Sequence, residues 1–267
     1  GRRIALEFDL RSALTEGQFY LAYQPIYNLE DLAIVGVEAL LRWRHPIQGI
    51  VQPNEFIPIL EKTGAIREVG AWVLNEACSQ MVKWHELGTA LDVSVNVSAR
   101  QLDDDLFVSQ VRGALHTSGL EATSLIIEMT ETALMQDIDS SVVRLEEIRA
   151  LGVRIAIDDF GTGYSSLSHL RQIPVDSLKI DQSFTASLTT SDESKALVKT
   201  FIQLGKDLGL ETVAEGVETM GQVELLRENR VGHVQGYLFS RPLDPESFEI
   251  QLLEQLRPLA SIPPTRP

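Results

Sequence analysis

One cysteine, Cys78, stands in 267 residues, so no disulfide can close within the chain. That usage fits a reducing compartment; a cytoplasmic domain is expected, within a parent protein that can itself be anchored in the inner membrane. The five histidines (His45, His85, His116, His169, His233) are scattered and lack the spacing of zinc ligands. No apolar run approaches the roughly 20 residues of a membrane span, and no signal peptide is visible. Basic residues are few: 23 against 38 acidic ones, a formal charge of −15. Such a surface repels a polymer of phosphates, which argues against a protein that binds duplex DNA. Low-complexity tracts and Pro/Ser-rich linkers are also missing.

What remains is an ordinary globular composition, 44% hydrophobic and 23% charged. It excludes a disordered chain and supplies a sizeable core. By length the chain could be two small domains or one α/β barrel of roughly 250 residues. Short Val/Ile-rich runs alternate with stretches of helical period. The strand-like runs are 19–27, 33–41, 91–97, 125–129, 153–157, 177–180, 211–214 and 234–239. Helical stretches cover 66–87, 105–117, 138–151, 193–208 and 219–229, and a glycine follows each of the first four as a stop signal. The link between the first two strands is of hairpin length, so these two should be antiparallel. The remainder reads as right-handed β-α-β units. The expected fold class is α/β, a modified TIM (β/α)8 barrel with one antiparallel strand; an open doubly wound sheet is the alternative. Residues 1–16 read as a lead-in helix from an upstream domain, 17–258 as the barrel, and 259–267, with its prolines, as a disordered tail.

Polar residues recur at or near the C-terminal ends of the strand-like runs: Glu38, Asn96, Glu128, the pair Asp158-Asp159, Lys179 with Asp181, Glu215 and Gln235. A lone strand-end acid is most often a helix cap. In a parallel barrel, however, these ends open on one face. Several carboxylates and one amide oxygen then form a hard-oxygen set suited to Mg²⁺ or Mn²⁺. Two such ions would clamp a phosphoryl oxygen and activate a water. Lys179 could equally neutralise a carboxylate, and Arg42 could form a salt bridge or grip a phosphate. The sequon at Asn96 lies in a buried strand and carries little weight. The Gly-x-Gly in Asp159-Phe160-Gly161-Thr162-Gly163-Tyr164-Ser165-Ser166 is a weak phosphate signal, and a tight mobile loop opening on a catalytic acid is the better reading. Trp43, Trp72 and Trp84 read as packing residues.

These blocks resemble the EAL-domain family of cyclic di-GMP phosphodiesterases. The resemblance is carried by Glu38-Ala39-Leu40-Leu41-Arg42, by Tyr23-Gln24-Pro25-Ile26, and by Asn96-Val97-Ser98. It continues through Glu128-Met129-Thr130-Glu131, the Asp158–Ser166 loop and Leu178-Lys179-Ile180-Asp181. It ends with Ala214-Glu215-Gly216-Val217-Glu218 and Gln235-Gly236-Tyr237. It implies that Glu38, Asn96, Glu128 and Asp158 hold one metal and Asp159 a second, with Glu215 in the metal and water shell. It implies that Lys179 contacts the attacking water, so that Lys179, Glu38, Glu215 and Asp159 form the catalytic set. Glu131 would hold the loop after the acidic pair, and Gln24, Leu41, Arg42, Asp181, Glu218 and Gln235 would line or support the substrate pocket. The implied reaction is hydrolysis of cyclic di-GMP to linear pGpG with two Mg²⁺ or Mn²⁺ ions, inhibited by Ca²⁺. A homodimer and an upstream sensor or diguanylate-cyclase-like domain are the implied partners. A receptor that binds the nucleotide without cutting it is the alternative. Val231 and Gly232 stand where the family often has Cys-Asp, which should alter packing locally.

Overall fold

The structure is a computed structural model that describes residues 2–163 and 170–256. Tyr164, Ser165, Ser166 and His169 lie outside the described residues, as does the tail expected to be disordered.

Among the described residues, nine strands form one sheet. They are β1 (Phe19–Asn28), β2 (Ile34–His45), β3 (Gly49–Val51), β4 (Asp92–Asn96), β5 (Leu125–Thr130), β6 (Arg154–Phe160), β7 (Ser177–Ile180), β8 (Glu211–Ala214) and β9 (His233–Val234). The order β1-β9-β8-β7-β6-β5-β4-β2 closes through a β1–β2 pairing, and β3 extends β2 outside the ring. All pairings from β2 through β4 to β9 are parallel. β1 is antiparallel to both of its neighbours. The fold is therefore the expected barrel with one reversed strand, and the open doubly wound alternative does not hold.

The central strands β4 to β7 are runs of Val, Ile and Leu because both of their faces are covered. Helices Ile66–His85, Phe107–Ser118, Ile138–Ala150, Asp192–Leu208 and Met220–Glu228 supply the outer layer. Gly119 and Gly209 end two of them in the left-handed conformation that glycine adopts without strain. Trp43 and Trp84 are fully buried, and Trp72 packs against the core. Helix Arg2–Ala13 buries Leu6, Leu10 and Ala13, and its Asp9 accepts from His45 Nε2 at the end of β2 (3.0 Å). Val231 is buried, and the Gly232 carbonyl accepts the Leu29 N–H at the barrel end away from the acids.

Three local expectations change. β2 runs on to His45 because β1 pairs with it as far as Phe19 opposite Trp43, so Glu38 sits in mid-strand rather than at a strand end. The last strand stops at Val234, and residues beyond it turn inward to pair with the segment after β8. Gly236 permits that approach, since a Cβ there would collide with the Val217 carbonyl. Helix Pro53–Thr63, with Pro58 inside it, was not signalled by the periodicity.

Candidate functional site

Lys179, on β7, is the centre of the site. It is 1% exposed, and its ammonium lies 2.7 Å from Glu128, 2.8 Å from Glu215, 3.1 Å from Glu38 and 3.5 Å from Asp158. These acids come from β2, β5, β6 and the residue after β8, so five segments of chain meet at one ammonium. The parallel register delivers them: Asn96 sits opposite Glu128, and Thr130 opposite Asp158. The reversed β1 places Gln24 opposite Glu38.

Amides complete the cluster. Asn96 Nδ2 donates to Glu38 Oε1 at 2.7 Å, and Gln235 Nε2 donates to Glu38 Oε2 at 2.8 Å and to Gln24 Oε1 at 3.1 Å. Gln24 in turn donates to the Ser240 carbonyl. Gln235 Oε1 is buried and has no hydrogen-bond partner among the described residues.

Neighbouring residues on a regular strand point to opposite faces. Asp158 and Asp159 nevertheless share a side, because the β6–β7 register slips between Ile157 and Phe160 and Asp159 adopts φ +53°. Carboxylate oxygens of Asp158, Asp159 and Glu215 lie within 4.8 Å of one another, a group that could coordinate a divalent metal. Glu38 and Glu128, also expected as ligands, lie on Lys179, as do Asp158 and Glu215. A left-handed aspartate costs roughly 1–2 kcal/mol and needs outside support. Glu131 gives it, accepting the N–H groups of Gly161 (3.0 Å) and Gly163 (3.2 Å).

Charge governs this cluster. Burial pushes Glu128 up to about 8, with Glu38 and Asp158 adding to the rise and Lys179 opposing it. Burial likewise raises Glu215 well above the carboxylate range, and raises Asp158. Asp159 is pushed up to about 6, first by burial and then by Asp158 and Asp181. Glu38 moves the other way: burial would raise it, but Lys179 and the amides of Gln235 and Asn96 hold it below the usual value. For Lys179, burial favours the neutral amine, and the surrounding carboxylates outweigh it and keep the ammonium charged.

Two cavities flank the cluster. One of about 620 Å³ is lined by Leu41, Arg42, Asn96, Asp158 and Asp159, with Ile57, Val69 and Val73 as an apolar wall. The other, about 220 Å³, is lined by Gln24, Glu38, Glu215, Glu218 and Gln235. Asp181 stands beside Asp159 and caps helix Gln182–Ala186 through the Ser183 N–H. Of the residues expected at the site, all are brought to this mouth or directly beneath it. Sequence reasoning did not single out Arg241, whose guanidinium stacks 4.3 Å over Tyr237 at the smaller cavity, nor Arg100 on the larger one. Neither lies at a strand end, the signal that found the others.

The relatives of this chain are consistent with that geometry. It is 45% identical over 245 residues to a protein of Pseudomonas aeruginosa named as the bifunctional diguanylate cyclase/cyclic di-GMP phosphodiesterase MucR, covering 91% of this chain and 36% of that one. It is 45% identical over 249 residues to the cyclic di-GMP phosphodiesterase NbdA of the same organism, covering 93% and 32%. The chain thus spans about a third of the length of the curated relatives it matches. A solved structure described as the PaMucR phosphodiesterase in complex with c-di-GMP superposes with TM-score 0.89 at 45% identity, covering 91% of this chain and 99% of that chain. With the model of the EAL domain matching residues 7–242, the strand-borne acids and the reversed first strand fall into place: this chain belongs to the EAL domain family.

Proposed function

We propose that this chain is a metal-dependent phosphodiesterase that hydrolyses cyclic di-GMP to linear pGpG. The observation that carries the reading is the buried surplus of carboxyl groups over cations: Glu38, Glu128, Asp158 and Glu215 share one ammonium, and Asp159 adjoins them. Oxygen-only donors whose burial already drives them toward protonation fit a hard divalent cation, which would relieve the same repulsion. Glu38, Asn96, Glu128 and Asp158 would hold one Mg²⁺ or Mn²⁺ ion and Asp159 a second, with Glu215 beside them. Bound there, such ions polarise a phosphoryl oxygen and lower the pKa of a water.

The chain's own residues do the rest. Arg42, at the larger cavity, grips a phosphate and offsets the net charge of −15 locally. Lys179 orients the attacking water and sets positive charge beside the phosphoryl oxygens as they gain charge. Glu38 and Glu215, both on that ammonium, orient the water; Glu215, whose proton affinity burial raises, takes up its proton and returns it to the departing 3′ oxygen. The new P–O bond forms as the bond to the 3′ oxygen breaks. Gln24, Leu41, Asp181, Glu218 and Gln235 line or support the nucleotide pocket, and Glu131 keeps Asp159 in place. Ca²⁺, larger and less demanding in geometry, would occupy the acids without supporting turnover. A homodimer formed beside the Asp159 loop and fusion to sensor or cyclase-like domains belong to the same proposal. No helix among the described residues is long and apolar enough to cross a membrane; a cytoplasmic location belongs to the same proposal and is supported by the single cysteine.

The test is incubation with cyclic di-GMP and Mg²⁺ or Mn²⁺, followed by chromatography, beside a Glu38→Ala control. Linear pGpG is expected from the wild type, and none from the control or in EDTA. Tight binding without product would overturn the enzyme in favour of a non-hydrolysing receptor.

A further inference from the structure

Glu131 holds the acidic-pair loop through the loop's backbone N–H groups. Two aromatic rings that belong to no motif and to no strand end, Phe184 and Phe201, also meet it. A Cβ on Gly161 would meet Phe201 Cζ at 2.7 Å and Phe184 Cε2 at 2.8 Å, so the loop backbone rests directly on the edges of these two rings. Phe201 packs edge-on against Phe160 (5.2 Å between centroids, 78°) and against Phe184 (5.3 Å, 79°). Phe160 directly follows Asp159 and is buried. The ring of Phe201 therefore bears on Phe160 and Gly161, the two residues that follow Asp159.

Three elements meet at this ring. Phe201 sits in helix Asp192–Leu208, Phe184 in helix Gln182–Ala186, and Phe160 at the end of β6. The short helix is a junction: it begins at Asp181, beside Asp159, and its Gln182 packs so closely on Gly216 that a Cβ there would lie 2.5 Å from Gln182 Cβ. Gly216 follows Glu215. Glu215 and Asp159, two of the three acids of the candidate metal group, thus lie one and two residues, respectively, from glycine backbone that bears on this junction.

Asp159 needs such support because its φ of +53° is unfavourable for a side chain. We infer that Phe201 is a positioning residue for Asp159: its ring, held between Phe160 and Phe184, closes the loop against Glu131 and so keeps Asp159 turned toward Asp158 and Glu215. This rests on the proposed metal-dependent function for its consequence and on packing alone for its geometry. Two edge-to-face contacts together amount to about a tenfold bias toward the closed loop.

The test compares Phe201→Ala, Phe201→Leu and, as control, Ile202→Val, a buried neighbour on the same helix. Mn²⁺ binding is followed by the EPR signal of the free ion, and amide hydrogen exchange is read at Gly161 and Gly163. Phe201→Ala should weaken Mn²⁺ binding about tenfold and speed exchange at both glycines. Where cyclic di-GMP is turned over, it should lower kcat about tenfold and leave KM within about twofold. Phe201→Leu should recover most of these losses, and Ile202→Val should lower Tm alone. If Phe201→Ala lowers Tm but leaves Mn²⁺ binding and both exchange rates as in the wild type, the ring is simple packing and the inference fails. A wild type that turns over no cyclic di-GMP would refute the function without touching the exchange and Mn²⁺ results.

Discussion

Replacing Lys179 with methionine removes the one charge that the four surrounding carboxylates share, while keeping much of the side chain's volume. Leaving buried charge without its partner costs about 3–5 kcal/mol, or roughly 10 °C in Tm for a chain of this size. That cost depends on pH with a definite sign. Glu128 ionises at about 8 when folded and near 4.5 in its ordinary state. Between those values the folded chain holds a proton that the unfolded chain has released, so stability without metal falls as pH rises through the window. Lys179 opposes this rise, and without it the carboxyls cling to protons more strongly still. The metal-free Lys179→Met protein should therefore lose least near pH 5 and most near pH 8, as measured by urea denaturation. Saturating Mg²⁺ should restore much of the stability and none of the turnover, which should fall by about 10²–10³-fold for the loss of one charge-stabilising donor. A variant as stable as the wild type at pH 8 without metal, or one whose turnover of cyclic di-GMP stays within about tenfold of the wild type's, would refute the reasoning.

Metal uptake at pH 7 should expel protons, because Glu128 is pushed up to about 8 and holds one in the metal-free protein, and burial raises Glu215 in the same direction; calorimetric heats of Mn²⁺ binding should then differ between buffers of different ionisation enthalpy, in proportion to that enthalpy. Arg42→Ala should raise KM for cyclic di-GMP about 10–100-fold, the value of a charge-assisted hydrogen bond, with a much smaller change in kcat in steady-state assays. Gly236→Ala forces a Cβ into the Val217 carbonyl; it should cost about 1–3 kcal/mol in thermal or denaturant unfolding and, by displacing Gln235, lower turnover as well.

Much of this site was legible because a β/α barrel converts sequence pattern into position. An apolar run that ends in Asn96, Glu128, Lys179 or Glu215 marks a side chain at the mouth, and counting runs places all of them together. What pattern cannot convey is departure from regular strand geometry. Asp158 and Asp159, as adjacent residues, should diverge, and only a slipped register with a left-handed aspartate brings them to one side. Glu38 reads as a strand end because its apolar run is short, whereas pairing with β1 carries the strand on to His45. Helix Pro53–Thr63 hides behind Pro58, a residue that ordinarily interrupts helices. The four-way engagement of Lys179 was beyond a reading that saw at most one neutralised acid. The tests above bear on the roles of these residues, which their placement alone does not assign.

Reversing the first strand also decides where the chain enters the molecule. Were β1 parallel to the rest, residues 2–18 would meet the barrel at its far end, a full strand length from the acids. As it is, they arrive on the rim itself, where Tyr20 is the cross-strand neighbour of Arg42 and Asp9 is tied to His45. Helix Arg2–Ala13 packs on helix Pro53–Thr63 and, through Asp9 and His45, is tied to the end of the strand that bears Glu38 and Arg42. The leading segment therefore stands at the doorframe of the acidic mouth rather than behind the barrel.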